Sequence, residues 1–256
     1  MREISAVMLD VDGVLTVSWR PLPGAVEAVT RLRDAGLAVA LVTNTTSRTR
    51  AWMASALSAA GFPVGADDIF TAPAITAAYL ARHHPGARCL LLNSGDIAED
   101  LAGVTIIEDG AADVVVLGGA GPEFSYAALN RVFGCLLGGA RLVAMGRTLY
   151  WRTDAGMQLD TGAFLAGLEQ ASGVEAVVTG KPAAAFFATV LDAMGAAAQQ
   201  TVMVGDDIHA DVGGAMSAGL KGILVRTGKF RESDLAGAVK PDLVLDSIRD
   251  LPGRIR

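Results

Sequence analysis

The sequence predicts an α/β fold, a doubly wound parallel sheet core into which a smaller α/β domain is inserted. Short apolar runs alternate with alanine-rich segments of helical length along the chain. Most of these runs are apolar throughout, which is typical of parallel strands that are buried on both faces. Two strand ends, at Thr43 and Lys181, lie 138 positions apart. One helix and one strand need far less chain than this, so the excess predicts the inserted domain.

Strands are predicted where runs rich in β-branched residues are flanked by Gly, Asp or Asn. In order they are Ala6–Leu9, Ala38–Val42, Cys89–Leu92, Val114–Leu117, Leu142–Ala144, Ala176–Val178, Thr201–Val204, Gly222–Val225 and Leu243–Leu245. Helices are predicted between the strands, at Gly24–Ala35, Arg48–Ala60, Ala74–His83, Ser125–Leu137, Thr161–Ser172, Ala183–Met194 and His209–Ala218. The alternation at this spacing indicates parallel strands with helices on both faces of the sheet.

Composition excludes several classes of protein. The chain has 256 residues, a hydrophobic content of 52% and a net charge of -6, with no basic run that would favour nucleic acid or an anionic membrane. Cys89 and Cys135 lie among apolar neighbours without metal-ligand spacing, so both are interpreted as core residues of a protein from a reducing compartment. The first residues lack the apolar stretch of a signal peptide, and no apolar run reaches the roughly 18 residues of a membrane helix. A cytoplasmic, soluble protein is therefore expected.

Polar side chains collect where four of the predicted strands end. The strand ends read V-M-L-D-V-D-G, V-A-L-V-T-N-T-T, V-V-T-G-K-P and T-V-M-V-G-D-D-I-H-A-D. Parallel sheets bind ligands just beyond the carboxyl ends of their strands. One edge of the sheet is thus predicted to carry Asp10, Asp12, Thr43, Asn44, Lys181, Asp206, Asp207 and Asp211.

This set of side chains favours phosphoryl transfer. Crowded carboxylates repel one another unless a cation binds them, and oxygen ligands of this kind select Mg²⁺. A lysine and a threonine beside the metal can hold a phosphate. One carboxylate can attack phosphorus and form an aspartyl-phosphate, while a second protonates the leaving oxygen and then deprotonates water.

Each motif taken alone has an ordinary structural explanation. A D-x-D-G turn is common because Asp and Gly favour turns, and it does not match a calcium-binding loop. Thr43 and Asn44 could cap the following helix, and Lys181-Pro182 could be an exposed turn. The ordered combination, with each motif at the end of an apolar strand, favours the functional interpretation.

In these motifs the chain resembles the haloacid dehalogenase-like phosphatases, whose core is a Rossmann-like domain. The resemblance implies that Asp10 is the nucleophile, Asp12 the general acid and base, and Thr43 and Lys181 phosphate-binding residues. It also implies that Asp10, the backbone carbonyl of Asp12 and Asp206 hold Mg²⁺, supported by Asp207 and Asp211. Asn44 is added as a phosphate-binding candidate.

The spacing of the motifs resembles that of the type-IIA members, which carry a cap domain between the second and third motifs. Only 31 positions separate Asp12 from Thr43, so no cap fits there. The predicted catalytic core is 1–77 with 179–256, and the predicted cap is 78–178. Cap residues proposed to select substrate include Arg147, Tyr150 and Trp151, although core packing or solvation explains them equally well. Caps of this kind often mediate dimers, which makes a homodimer an expectation.

Three stretches look most like the phospholysine phosphohistidine inorganic pyrophosphate phosphatases and their relatives: G-R-T-L-Y-W-R-T-D-A-G-M-Q-L-D-T-G-A-F, V-T-G-K-P-A-A-A-F-F and G-D-D-I-H-A-D-V-G-G-A-M-S-A-G-L-K-G-I-L-V-R-T-G-K-F. In that group a serine usually stands at the position of Asp12, and the acid here favours cleavage of P–O esters. The expected function is a Mg²⁺-dependent phosphatase of small phosphorylated metabolites. Alternatives are a pyrophosphate or phosphoramidate phosphatase, a dehalogenase, a mutase, or a catalytically idle binding protein.

Overall fold

The structure, a computed structural model, describes residues 4–153 and 156–255, without the side chains of 151–153. The chain forms two compact units. The first comprises the chain up to Thr43, Arg50–Phe70 and the chain from Lys181 onward, and the second comprises Asn44–Thr49 and Thr71–Gly180. These boundaries differ from the predicted 78 and 178. The assignment of catalysis to one unit and of specificity to the other stays a prediction.

The strands are numbered in chain order. They are β1 (Ala6–Asp10), β2 (Thr16–Val17), β3 (Arg20–Pro21), β4 (Ala38–Thr43), β5 (Ile69–Thr71), β6 (Arg88–Leu92), β7 (Thr105–Ile107), β8 (Val114–Leu117), β9 (Arg141–Ala144), β10 (Tyr150–Thr153), β11 (Gly156–Leu159), β12 (Val177–Val178), β13 (Thr201–Gly205), β14 (Lys221–Val225) and β15 (Leu243–Leu245).

The α-helices are α1 (Ala25–Asp34), α2 (Arg50–Ala59), α3 (Ala72–His83), α4 (Tyr126–Leu137), α5 (Thr161–Ser172), α6 (Ala184–Met194) and α7 (Gly214–Ser217). Short 3-10 helices occupy Ala66–Asp68, Glu99–Leu101, Ala198–Gln200, Glu232–Ala236 and Ile248–Gly253, and a π-helix occupies Ile208–Gly213.

The first unit is built on a sheet that has six strands within the described residues, in the order β15-β14-β13-β1-β4-β5. The central strand β1 pairs in parallel with β13 on one side and β4 on the other, so that Met8 lies opposite Met203 and Ala40. All five residues of β1 are buried. The carboxyl ends of β1, β4 and β13 therefore meet at one edge of this sheet, as the sequence predicts. The prediction is wrong for the fourth strand, Ala176–Val178, because β12 pairs with β9 in the sheet of the second unit.

Helix α1 shows why the elements of the first unit pack as they do. Its apolar residues recur at helical spacing, which places Ala25, Ala28, Val29 and Leu32 on one buried face. These residues join a single hydrophobic core with strand residues such as Leu9. Burial of this face contributes more to the helix than its intrinsic propensity does.

The second unit has its own parallel sheet, with five strands in the order β12-β9-β8-β6-β7 across the described residues. Helix α5 begins where Asp160 accepts a hydrogen bond from the N–H of Thr161 and ends at Gly173 in the left-handed region. Strands β10 and β11 form a separate antiparallel hairpin, in which Tyr150 lies opposite Leu159. The α/β class predicted from the sequence is confirmed.

The differences from the predicted elements are local. The structure adds elements that the sequence does not predict: the short strands β5 and β7, which have three residues each, and the two hairpins β2–β3 and β10–β11. Runs this short carry no periodicity. The predicted helix His209–Ala218 is wrong in form, because a π-helix occupies its first part and α7 only the last.

Two expectations from composition can be compared with the structure. Cys89 is buried and Cys135 is half-buried, and both are free thiols. None of the helices in the described part of the chain has both the length and the apolar character that crossing a bilayer requires.

Candidate active site

Asp10 ends the central strand β1 and is buried. Its Oδ1 accepts a hydrogen bond of 2.7 Å from the Nζ of Lys181, which is itself buried. The same ammonium donates to Asp211 Oδ1 at 2.7 Å and to the carbonyl oxygen of Val42 at 3.2 Å. One cation therefore ties the ends of β1 and β4 to the segment that follows β13. Of the candidates, this is the group that the structure brings together most closely.

Asp206 follows β13 and is enclosed by two glycines. Its Oδ2 accepts a hydrogen bond of 2.6 Å from the backbone N–H of Lys229. A Cβ built on Gly13 would lie 2.1 Å from this oxygen, and one built on Gly228 would lie 1.9 Å from it. Both glycines also have positive φ angles, of 87° and 62°. Only glycine fits either position, so two separate loops are shaped around this carboxylate.

Asp207 and Asp211 have different hydrogen-bond partners, although the resemblance assigns both to metal support. Asp207 accepts hydrogen bonds of 2.9 Å from the N–H groups of His209 and Ala210, so it caps the π-helix Ile208–Gly213. Asp211 lies one turn further on and is buried beside the ammonium described above. Its second oxygen accepts a hydrogen bond of 3.2 Å from the N–H of Asp207. Asp211 thus belongs to the buried cluster, whereas Asp207 holds the helix that carries it.

Asp12 and Thr43 also lie in the first unit. Asp12 is exposed on the loop after β1, where it forms an isolated bridge with Thr16. The N–H of Gly13 donates to the carbonyl oxygen of Thr16 at 2.7 Å, which folds the loop back at once. Thr43 ends β4 and is buried. Two residues apart at the end of β1, Asp12 is therefore accessible to solvent and Asp10 is buried.

The buried carboxylates can be tested for their fit to a metal ion. Oxygens of Asp10, Asp206 and Asp211 lie within 4.8 Å of one another. Asp206 Oδ1 is buried, and no group in the described part of the chain forms a hydrogen bond with it. A buried carboxylate oxygen without a donor is unfavourable unless a cation binds it. The Lys181 ammonium bonds to Asp10 and Asp211 but not to Asp206 Oδ1, so this all-oxygen set fits a hard divalent cation.

Burial dominates the ionisation of this cluster. It raises the pKa of Asp206 and that of Asp211 to about 6. Burial also raises the pKa of Asp10, although Lys181 partly offsets the effect. For the ammonium of Lys181 burial acts in the opposite direction, but the Asp10 and Asp211 carboxylates outweigh it and raise its pKa. The lysine stays charged, and the carboxyls are easily protonated without a further cation.

The second unit contains the residues proposed from the sequence to select substrate. The guanidinium of Arg147 forms two hydrogen bonds with Glu169, of 2.8 Å and 2.6 Å. Glu169 Oε1 also accepts a hydrogen bond of 2.7 Å from the N–H of Ala176, so this pair connects three segments. Tyr150 is 57% exposed, and the side chain of Trp151 lies outside the described residues. Arg147 is thus engaged within its unit, while Tyr150 is available for contact.

Asn44 lies in the second unit, unlike Thr43, the residue before it. A Cβ on Gly180 would lie 2.9 Å from Asn44 Oδ1. Asn44 lines a small cavity of about 30 Å³ together with Thr46, Asp160 and Thr161. The cavity is large enough for one water molecule and too small for a metabolite.

Comparisons with known proteins agree with this geometry. Residues 7–107 match a family model described as haloacid dehalogenase-like hydrolase, and residues 178–251 match a second model of HAD-hydrolase-like proteins. The phospholysine phosphohistidine inorganic pyrophosphate phosphatase of Danio rerio is 39% identical, over 97% of this chain and 93% of that protein. The chain belongs to the haloacid dehalogenase-like hydrolases. It is an enzyme of the phosphatase type, which hydrolyses phosphoric esters.

Solved structures of haloacid dehalogenase-like phosphatases share the fold. The p-nitrophenyl phosphatase from Archaeoglobus fulgidus superimposes with a TM-score of 0.93 at 28% identity, over 99% of this chain and all of that one. A glycerol phosphate phosphatase from Mycobacterium tuberculosis, solved in complex with magnesium, has a TM-score of 0.87 at 28% identity. That comparison covers 98% of this chain and 77% of the other. The type-IIA resemblance predicted from the motifs is confirmed.

The loop that follows β14 of this phosphatase contributes to the site although the sequence motifs do not include it. Gly228 and the backbone of Lys229 enclose Asp206, but no role was predicted for either residue. The signal was present, because β14 is one more parallel strand whose carboxyl end lies at the same edge. A glycine followed by a lysine just after such a strand could have been added to the candidates.

The raised pKa of Asp206 in this hydrolase leads to a prediction about stability and pH. Its pKa is about 6 in the folded protein and 3.8 without the protein environment, so the folded state binds the proton more tightly. The associated stability is complete below about pH 4 and is lost as the pH rises through 6. In metal-free buffer, Asp206→Asn should therefore be more stable than wild type at pH 8, by about 2–3 kcal/mol. The difference should fade toward pH 4.

This prediction can be measured by denaturation at a series of pH values, with chelator present. Asp192→Asn, which removes an exposed carboxyl on α6, is the matched control and should show no such pH-dependent gain. Groups that do not interact with Asp206 are common to all three proteins and cancel in the comparison. Removing the Asp206 charge also relieves part of the repulsion that raises the pKa of Asp10, which adds to the gain at high pH. A stability difference that is constant from pH 4 to pH 8 would contradict the assigned environment of Asp206.

Proposed function

We propose that the protein is a Mg²⁺-dependent phosphatase that hydrolyses small phosphorylated metabolites through an aspartyl-phosphate on Asp10. The observation that carries the proposal is the buried group of Asp10, Lys181, Asp206 and Asp211, in which one carboxylate oxygen has no donor among the described residues. Such an arrangement opposes folding unless a ligand compensates it, so its presence favours a binding function.

The proposed chemistry has two steps. In the first, a carboxylate oxygen of Asp10 attacks phosphorus and the P–O bond to the leaving group breaks, while Asp12 donates a proton to the departing oxygen. In the second, Asp12 takes a proton from water as the water oxygen attacks the aspartyl-phosphate, which releases phosphate and restores Asp10. The exposure of Asp12 suits a group that must exchange protons with solvent and substrate.

Other residues bind and neutralise charge. Thr43 and Lys181 are proposed to bind oxygens of the phosphoryl group, with the lysine acting as a point charge. Asp10, Asp206 and the carbonyl of Asp12 would hold Mg²⁺, with Asp211 beside them. Bound there, the cation would supply electrostatic stabilisation of the negative charge on the phosphoryl oxygens. Support for magnesium comes from the relative that was solved with it.

A second candidate function comes from the relative whose name describes cleavage of pyrophosphate, phospholysine and phosphohistidine. The identity of 39% favours this specificity. Asp12 favours ester cleavage instead, because an alkoxide leaves only if an acid supplies a proton. The second unit is proposed to select among such substrates, and exposed residues such as Tyr150 are candidates for contact with the leaving group.

The test compares two leaving groups in the same enzyme. Wild type should hydrolyse p-nitrophenyl phosphate and glycerol phosphate with Mg²⁺ present and neither with chelator. In Asp12→Asn, kcat/KM reports the steps up to the aspartyl-phosphate, before the water attack that both esters share. It should fall about 10²- to 10⁴-fold for the alkyl ester and far less for the aryl ester, since nitrophenolate leaves without a proton.

Asp207→Asn is the matched control, because an asparagine can still cap the π-helix. It should leave the ratio of the two rates unchanged. Equal losses of kcat/KM on both esters in Asp12→Asn would contradict the acid role. A wild type that is inert toward esters but cleaves pyrophosphate or a phosphoramidate would favour the second function. A protein that binds Mg²⁺ and phosphate and cleaves nothing would be a binding protein.

A further inference from the structure

A short loop of the chain passes from one unit to the other and back. Thr43 and helix α2, which starts at Arg50, belong to the first unit, whereas the six residues Asn44–Thr49 between them belong to the second. The loop therefore begins at the peptide bond that follows Thr43, and Thr43 is a proposed phosphate-binding residue. What holds the loop in the second unit therefore acts on that peptide bond through the few residues of backbone between them.

Asn93, just after strand β6, is the centre of the contacts that hold the loop. Its Nδ2 donates to the carbonyl oxygen of Thr46 at 3.2 Å, and to the carbonyls of Ser94 and Gly95 at 3.0 Å each. Its Oδ1 accepts a hydrogen bond of 2.8 Å from the N–H of Gly119. One side chain thus connects the loop to the ends of β6 and β8.

Glycines on both sides allow the backbone of the loop to come this close. A Cβ on Gly119 would lie 2.3 Å from the hydroxyl of Thr46, and a Cβ on Gly95 would lie 2.7 Å from the Cα of Ser47. A Cβ on Gly118 would lie 2.0 Å from Oδ1 of Asn93. The loop therefore packs tightly against the strand ends. A side chain at Gly95 or Gly119 would displace the loop, and one at Gly118 would displace Asn93.

We propose that Asn93 is a positioning residue for phosphate binding. By fixing the carbonyl of Thr46 it holds the loop, and by holding the loop it restricts the orientation of Thr43 toward the phosphoryl group. The inference rests on the proposed function, because it assigns Asn93 to the site in which Thr43 binds phosphate. Asn93 itself touches neither substrate nor metal in this account.

Two substitutions separate the contacts of Asn93. Asn93→Ala removes all of them, whereas Asn93→Asp keeps an acceptor for Gly119 and loses the donor to Thr46. Both variants should raise KM for p-nitrophenyl phosphate and the inhibition constant for inorganic phosphate about 10- to 100-fold, with a smaller change in kcat. A role in stability alone would lower the amount of active enzyme and leave KM and the inhibition constant unchanged.

Asn130→Ala is the matched control. Asn130 lies in the same unit on α4, is exposed, and donates through Nδ2 to the carbonyl of Tyr126 at 2.7 Å. It should keep wild-type constants. If phosphate inhibits the wild type but KM and the inhibition constant are unchanged in both Asn93 variants, the role of Asn93 is overturned and the proposed function stands. A wild type on which phosphate has no effect would contradict the proposed function and the inference with it.

A measurement on the wild type covers the case in which the Asn93 variants do not fold. Hydrogen exchange is followed with and without inorganic phosphate in the presence of Mg²⁺. Phosphate should slow exchange in Asn44–Thr49 and at the N–H of Gly119, which is bonded to Asn93. Protection that is confined to the first unit would overturn the proposal.

Discussion

Asp10→Asn should lower kcat for phosphate ester hydrolysis by about three orders of magnitude or more. The amide oxygen of asparagine is a poor nucleophile, and the proposed aspartyl-phosphate cannot form on it in useful yield. The substitution preserves shape, and its oxygen can still accept the hydrogen bond that Lys181 donates to Asp10. Loss of activity with retained structure would therefore identify a chemical role and not a structural one.

The measurement is steady-state hydrolysis of p-nitrophenyl phosphate with Mg²⁺ present, alongside a search for phosphate bound covalently to protein after acid quenching. Asp100→Asn is the matched control, since Asp100 is also a buried carboxyl but lies in the second unit, where it accepts a hydrogen bond from Thr71. The control should retain most of the activity. Full activity in Asp10→Asn would eliminate Asp10 as the nucleophile.

Lys181→Met should destabilise the metal-free protein at neutral pH by about 3–5 kcal/mol. The methionine replaces the apolar stem of the lysine up to Cε but leaves Asp10 and Asp211 buried without the ammonium that lies 2.7 Å from each. Because the pKa values of these carboxyls are already raised by burial, they will protonate in the variant as the pH falls. The loss of stability should therefore be smaller near pH 5 than at pH 8.

Chemical denaturation of the variant and wild type, with chelator present, measures this loss. Lys240→Met provides the matched control, because the Lys240 ammonium is exposed and donates only to the carbonyl of Leu235 among the contacts described for it. That variant should stay within about 0.5 kcal/mol of wild type. If Lys181→Met is as stable as wild type, the buried ion pairs make no net contribution to stability, and Lys181 does not compensate the charges of Asp10 and Asp211.

Much of the candidate site could be predicted because its signals are local. Asp10, Thr43 and Asp206 each follow a strand that reads as an unbroken apolar run, and parallel pairing brings such ends to one edge. The α/β class follows from the same runs and the helical segments between them. The D-x-D-G motif is typical of a turn, and the φ of 87° at Gly13 agrees.

Contacts between distant parts of the chain could not be predicted in this way. Lys181 is predicted to bind phosphate, but its hydrogen bond to Asp10 joins residues 171 positions apart. No local pattern around either residue indicates that the other is its partner. Arg147 was a candidate for substrate contact, and only folding reveals Glu169 as its partner. Such pairs depend on how whole elements pack, which is set by many side chains at once.

The sequence by itself determined the class of fold, the family and the identity of the acids at the sheet edge, because strand periodicity and strand-end chemistry are local properties. The tertiary structure alone decided which of these acids are buried together. It placed Asp211 beside Lys181 and left Asp207 to cap the π-helix, although the two lie in one motif. It also moved the loop after Thr43 into the second unit, where Asn93 binds it. Burial and hydrogen-bond partners depend on how the whole chain packs. They set the charge of the buried carboxylate cluster and the position of the loop after Thr43.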